Sequence, residues 1–366
     1  MIKEYFDLPD SQKRILIDRV SQEKNLHVSS MEKDLWVTAV LQAVTELPYS
    51  GQIQFKGGTS LSKCWKLIER FSEDIDLVVE KELLGFSGEL SKSQVSDKLR
   101  RKAKSFTVNE LSKDIKDKLI QLGVPNDAFQ LSIKDNGIPT QDPVQLEIAY
   151  DSIYTPDSYI RPIVLVEASG RSLNLALTEC KINSFVGETV PSGLFHQNPF
   201  AIKTVLPERT FIEKVCLIHE EFHQPQHKVR SDRMSRHLYD LCMMENAGVG
   251  IRARQNEDFF KDIIKHRFIY NRIDGVDYNT ERPGQFDIVP RGTFNDLWKK
   301  DYEETMSKMI YGKNRMSYID IRFTLEYIND RLNDMRWKEV PCFEPGKKPT
   351  FIKTEEIGVR PPGPSH

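Results

Sequence analysis

Apolar positions in the first half of the chain switch repeatedly between a helical and a strand period. Between Asp10 and Asn25, Ile15, Leu16, Ile17 and Val20 gather on one side of a helix. Ser29 with Glu32 three residues on predicts a capping box, opening a second helix through Trp36, Val40, Leu41 and Val44. QIQFKGG alternates like a short strand that stops at Gly57–Gly58, and helical spacing returns from Thr59 to Ile68. In EDIDLVVE the period falls to two. Ile75, Leu77 and Val79 point one way; Asp74, Asp76 and Val78 point the other. A charged helical stretch covers 91–121, and FQLSIKD, PVQLEIAYD, IVLVEAS and TECKINSF read as further strands of one sheet.

From about residue 205 the period is helical. Pro207 opens a segment with Phe211, Val215, Ile218 and Phe222 on one stripe, and 229–246, 255–270 and 294–336 continue in kind. Pro341 to His366 is proline-rich with little periodicity, which predicts an extended, poorly ordered tail. The expected class is α+β. A mixed sheet with flanking helices occupies 1–200, a mostly helical domain 201–340, and the tail 341–366.

Composition narrows this picture by exclusion. With 39% apolar and 29% charged residues, the chain reads as a globular protein, and no apolar run nears the ~20 residues of a membrane span. The start, MIKEYFDLPD, carries no secretory pattern, so a cytoplasmic protein without membrane contact is expected. Five cysteines, none spaced as CxxC, read as reduced thiols rather than a disulfide framework or zinc cluster. A net charge of −2 argues against a general nucleic-acid coat, yet leaves room for a local basic groove.

The segment that carries chemistry is FKGGTSLSKCWKLIERFSEDIDLVVE: strand, Gly-Gly turn, helix, then a strand with two carboxylates two residues apart. Residues i and i+2 of a strand share a face, so Asp74 and Asp76 project together and repel unless a cation lies between them. A divalent ion, Mg²⁺ or Mn²⁺, held by such a pair can neutralise triphosphate charge. Gly57 and Gly58 let backbone amides approach phosphates, a helix starting near Thr59 adds its dipole, and Ser72 can reach a phosphate oxygen. Glu147, in Leu146-Glu147-Ile148, offers a third acid for the metal, although it equally suits a solvent-facing strand position. A lone Asp-x-Asp is common on exposed strands. Its conjunction with a Gly-Gly turn, a fully apolar opposite face and a third acid, Glu147, expected on a neighbouring strand, is not.

These residues resemble a known family. GGTSL, Arg70, Ser72 and the DID core are similar to the nucleotidyltransferase superfamily, and specifically to the AbiEii/AbiGii toxins. A second block, ERTFIEKVCLIHEE at 208–221 with RMSRHLYDL at 233–241, matches that family independently. The resemblance spans residues 30–245, including the long interval from Gly58 to Asp74; beyond about 250 no motif stands out. It implies a nucleotidyltransferase fold for the first domain, with Asp74 and Asp76 as metal ligands and Ser72 as a phosphate contact. It further implies Lys214 and Asp240 as active-site residues, contributed by a helical domain that completes the site. The implied reaction moves an NMP from an NTP to an acceptor such as the 3′ end of an RNA, tRNA among them. The implied role is that of a toxin in a toxin–antitoxin or abortive-infection defence system, with a cognate antitoxin as partner.

Helical spacing agrees in part. Lys214 lies off the Phe211/Val215/Ile218/Phe222 stripe, leaving its ammonium to reach a phosphate or base. Asp240 shares a polar side with Arg233, Arg236 and His237, and on the residues alone an ordinary pairing with Arg236 one turn away is the simpler reading. The basic run Lys228, Arg230, Arg233, Arg236 flanks Asp240 and is the cluster best suited to a phosphate backbone. Two other readings compete. One is a binding protein with the same fold and no catalysis. The other is a zinc protease, because His219-Glu220-Glu221-Phe222-His223 satisfies H-E-x-x-H. Pro225 stops that helix within a turn, and Val229 occupies the third-histidine position of the extended motif, so both histidines are expected to be packing residues.

Overall fold

The computed structural model describes residues 2–91, 93–155, 160–173, 176–190, 198–312, 315–344 and 347–357. The chain divides into two compact units, Met1–Leu206 and Pro207–His366. The class is α+β.

The first unit opens with three helices, α1 (Ile2–Phe6), α2 (Asp10–Lys24) and α3 (Val28–Thr45). Asn25 ends α2 in the left-handed conformation at φ 52°, its N–H returning to the last turn. Helix α3 is buried along nearly its whole length, its charged residues Glu32, Lys33 and Asp34 included. Its start differs from the expected capping box. His27 holds the cap position and accepts from the Ser29 N–H, while Glu32 turns inward, accepting from the Ser152 hydroxyl at 2.5 Å and the Ile153 N–H at 2.9 Å.

Strand β1 (Ile53–Lys56) runs straight into helix α4 (Gly57–Lys63), and β2 (Asp74–Val79) follows. The helix expected to reach Ile68 stops at Lys63, and Lys66 sits at φ 53° in the turn beyond. Helices α5 (Arg100–Phe106) and α6 (Ser112–Gln121) fill most of the charged stretch. Strands β3 (Phe129–Lys134), β4 (Val144–Tyr150), β5 (Ile163–Ser169) and β6 (Leu177–Ile182), helix α7 (Phe185–Thr189) and strand β7 (Phe200–Val205) complete the unit.

One seven-stranded mixed sheet results, in the order β3-β4-β5-β2-β1-β7-β6. The acidic strand β2 is central, parallel to β5 and antiparallel to β1. Ile75, Leu77 and Val79 are fully buried, and Asp74 and Asp76 are half-buried on the alternate positions. Strand β7 lies beyond the segments whose alternation predicts strands. It pairs with β6 and lies parallel to β1, where the Thr204 hydroxyl donates to the Phe55 carbonyl at 2.9 Å, so the sheet continues past residue 200.

The second unit contains α8 (Pro207–Phe222), α9 (Ser235–Asn246), α10 (Val249–Arg254), α11 (Glu257–Tyr270), α12 (Gly292–Glu304) and α13 (Tyr318–Asn333). Phe211, Val215 and Ile218 of α8 and Leu238, Leu241 and Cys242 of α9 are buried, as their spacing predicts. The helix-like stretch 294–336 holds most of α12 and all of α13. Ser317 and Asp320 form a capping box that starts the second. The supposed tail holds a hairpin, β8 (Glu339–Cys342) with β9 (Thr350–Lys353). Aromatic contacts order it: the Phe343 ring stacks on Phe268 at 4.7 Å and meets Phe351 edge-on at 5.6 Å. The remainder of the tail expectation, 358–366, lies outside the described residues. Among the described residues, no helix is long and apolar enough to cross a membrane.

Candidate active site

The pleat of β2 fixes the acid pair. Asp74 and Asp76 share one face, opposite the buried Ile75 and Leu77. In-register neighbours on adjacent strands point to the same side as their partner. Asp76 therefore has Lys56 of β1 on one flank and Glu167 of β5 on the other.

The Gly-Gly turn is moulded to this face. Gly57 has φ +81°, and a Cβ there would lie 1.9 Å from Asp76 Oδ2. Only glycine fits. A Cβ on Gly58 would meet the Arg70 guanidinium at 2.7 Å and Ser72 Oγ at 2.8 Å. Thr59 is fully buried; its hydroxyl lies 3.0 Å from Ser72 Oγ and donates to the Asp74 carbonyl at 2.5 Å. Thr59 thus clamps α4 to the mouth of β2 rather than facing outward. Gly57, Gly58, Ser72, Asp74 and Asp76 are brought together at one end of β2.

Glu147 shares the face and the row of Asp74, through Leu165, but stands two strands away rather than beside it. It lies on β4, across β5 from β2, and its carboxylate is held by the Lys134 ammonium at 2.6 Å. The acid that shares the row of Asp76 is Glu167, which also accepts from the Gln145 amide at 2.7 Å. Alternation in IVLVEAS reveals that Glu167 faces away from the core, but not that β5 is the neighbour of β2. Among the described residues, no three His, Cys, Asp or Glu side chains are gathered closely enough to hold a metal ion. Two hard oxygen donors on one face, with a glycine leaving room beside Asp76, nonetheless suit a Mg²⁺-like ion, which keeps part of its water shell.

In the second unit, α8 and α9 place Lys214 against Asp240. Its ammonium lies 3.0 Å from Asp240 Oδ2 and donates to His237 Nδ1 at 3.0 Å. Lys214 is 7% exposed and Asp240 is fully buried. The ammonium is therefore held in place, not left free as the helical spacing suggests. Of the basic run nearby, Arg230 is engaged by Glu221 at 2.7 Å, and the Arg233 N–H donates to Asp301 at 2.8 Å.

The H-E-x-x-H residues have structural partners. His219 Nδ1 accepts from the Asp287 N–H at 3.0 Å, which leaves Nε2–H to donate to the Thr280 hydroxyl at 2.9 Å. Glu220 forms a buried bidentate pair with Arg267, and His223 Nδ1 donates to the His219 carbonyl at 2.7 Å. Both nitrogens of His219 are occupied by neutral groups, so its ring cannot ligate zinc without losing one of these bonds. The zinc-protease reading has no support in this geometry.

Burial, and then the neighbouring His223 ring, push the His219 imidazole from 6.5 down to about 3. The folded chain refuses a proton that the unfolded chain accepts between those values. Its contribution to stability is complete above pH 6.5 and declines as pH falls toward 3. Denaturant unfolding of His219→Gln should accordingly show a flatter pH dependence in that window, by up to about 1.4 kcal/mol per pH unit. Parallel curves for the two proteins would contradict a neutral buried ring.

A family model described as "Nucleotidyl transferase AbiEii toxin, Type IV TA system" matches residues 39–328. No curated protein matches the chain.

Proposed function

Because the chain belongs to the AbiEii nucleotidyl transferase toxin family of type IV toxin–antitoxin systems, we propose that it transfers an NMP from an NTP to the 3′ end of an RNA such as tRNA. The observation that carries this reading is the acid pair fitted against Gly57, whose missing Cβ makes room for Asp76. Asp74 and Asp76 would hold a Mg²⁺ or Mn²⁺ ion, which supplies charge neutralisation to the triphosphate when bound. Backbone amides at Gly57 and Gly58 and the Ser72 hydroxyl bind phosphate oxygens, and Arg70 adds positive charge beside them. The acceptor hydroxyl oxygen bonds to the α-phosphorus, the bond to the bridging oxygen breaks, pyrophosphate leaves with the electron pair, and the hydroxyl proton passes to water. The chain's own contribution is chiefly orientation, which can lower such a barrier by several kcal/mol.

Lys214 and Asp240 are assigned to the same reaction, Lys214 as a cation for phosphate or base and Asp240 as the group that aims it. Family membership further supports a cognate antitoxin as partner and growth arrest as the outcome of unchecked activity. The cytoplasm, where NTPs and RNA are abundant, is the proposed compartment.

Incubating the purified chain with each α-labelled NTP, Mg²⁺ and total RNA tests the acceptor. Label in a ribonuclease-sensitive band supports the proposal; label on protein, or on a small molecule alone, overturns the RNA assignment. Gly57→Ala should lose transfer by roughly 100-fold, because its Cβ displaces the Asp76 carboxylate. The left-handed backbone adds strain of about 1–2 kcal/mol, visible as a lower thermal midpoint. Full activity in Gly57→Ala would remove the fitted turn from the account.

A further inference from the structure

Helix α3 carries three consecutive ionisable residues, Glu32, Lys33 and Asp34, each no more than 3% exposed. Successive helical residues point about 100° apart, so the three reach different parts of the unit. Glu32 takes the Ser152–Ile153 segment, as described above. The Lys33 ammonium pairs with Glu73 at 2.5 Å and donates to the Arg161 carbonyl at 3.1 Å. Asp34 pairs with the Lys63 ammonium at 2.6 Å and accepts from the Phe185 N–H at 2.7 Å. Lys63 donates in addition to the Thr38 hydroxyl at 2.9 Å.

The two far ends of these ties have a common meaning. Glu73 is the residue before Asp74, and Lys63 is the last residue of the helix that begins at Gly57. Adjacent residues of one buried helix thus hold the entrance of the acid strand and the far end of the Gly-Gly helix. We infer that Lys33 and Asp34 are positioning residues that set the Gly57–Gly58 turn and the Asp74–Asp76 pair in register with each other.

Energetics favour this over a stabilising role. A buried ion pair pays desolvation that often exceeds its Coulomb gain, and apolar side chains of similar volume frequently do as well or better. Geometry is what the charges add. The two pairs run in opposite senses, α3 giving a cation to Glu73 and an anion to Lys63. Exchanging the partners would set Lys33 against Lys63 and Asp34 against Glu73, like charge on like. An apolar contact tolerates a slip of one element past another. These pairs do not.

The catalytic consequence rests on the nucleotide transfer proposed above; the structural one does not, and both are measurable. Lys33→Met with Glu73→Leu replaces the tie by apolar side chains of similar volume. The thermal midpoint should stay near that of the unchanged chain, whereas Lys33→Met alone, leaving Glu73 buried and without this partner, should lower it clearly. In the double variant the turnover number should fall roughly 10- to 100-fold with KM for NTP little changed, as expected for a displaced rather than a missing group. Amide exchange at Gly57–Thr59 and Asp74–Asp76 should quicken while global stability holds. Asp34→Asn with Lys63→Met tests the second tie in the same way and serves if the first pair fails to fold. Full turnover and unchanged exchange at wild-type stability would overturn the inference. If the unchanged chain transfers no nucleotide, the reaction is wrong, and the exchange measurement alone decides whether the ties set the register.

Discussion

Asp74→Asn and Asp76→Asn should each lower nucleotide transfer by roughly 10³-fold or more while the protein stays folded. Asparagine keeps the size and the strand position but removes the charge proposed to recruit a divalent ion, and a 10³-fold loss corresponds to about 4 kcal/mol in the barrier. Each substitution also removes half of a same-face carboxylate pair, so the thermal midpoint holds or rises slightly. Glu147→Gln serves as the internal contrast. Its carboxylate is held by Lys134 on the far side of β5, and little activity should be lost. Glu167→Gln should fall between these limits, because Glu167 sits in register with Asp76 without sharing its strand. Kinetics on the four variants, with melting curves beside them, separate the roles. A large loss in Glu147→Gln with none in Glu167→Gln would reverse the assignment.

The largest effect on stability is expected at Lys214. Its removal leaves the Asp240 carboxylate fully buried with its ion pair broken, a loss of roughly 3–5 kcal/mol. Lys214→Met should therefore melt far below the unchanged chain. Adding Asp240→Asn removes the buried charge that Lys214 balances and should restore much of the lost stability, though not the activity. Lys214→Arg should recover both only partly, since a planar guanidinium cannot reproduce two 3.0 Å contacts made by a compact ammonium. Equal melting of Lys214→Met and the double variant would mean that the buried pair carries no such cost. Transfer at the normal rate by the double variant would take Lys214 and Asp240 out of the reaction.

What the sequence disclosed follows from what periodicity encodes. Alternation assigns a face to each residue, which is why the shared side of Asp74 and Asp76 and the buried side of Ile75, Leu77 and Val79 were legible. Alternation does not encode which strands are neighbours. Glu147 and Glu167 look equivalent in sequence, and only the strand order, with β5 beside β2, distinguishes them. Strand β7 is hard to read because Phe200–Val205 lacks strict alternation: Thr204 and Val205 are buried side by side, and Ala201 is exposed. Ser29 and Glu32 read as a capping box, whereas the burial of Glu32, Lys33 and Asp34 depends on partners up to 151 residues away. Helical spacing likewise put Lys214 off the apolar stripe correctly, yet could not show that Asp240 and His237 would enclose it. The tail hairpin was hidden by its prolines. Its order comes from Phe343 and Phe351 meeting each other, with Phe268 beneath.

Attack at the α-phosphorus can be tested by the position of a radiolabel in the NTP. With total RNA as acceptor and Mg²⁺ present, label at the α-phosphate should enter the acceptor, while label at the γ-phosphate should appear as pyrophosphate. Neither transfer should occur with Asp76→Asn. Acceptor labelled from the γ-phosphate instead would make the chain a kinase and contradict the account.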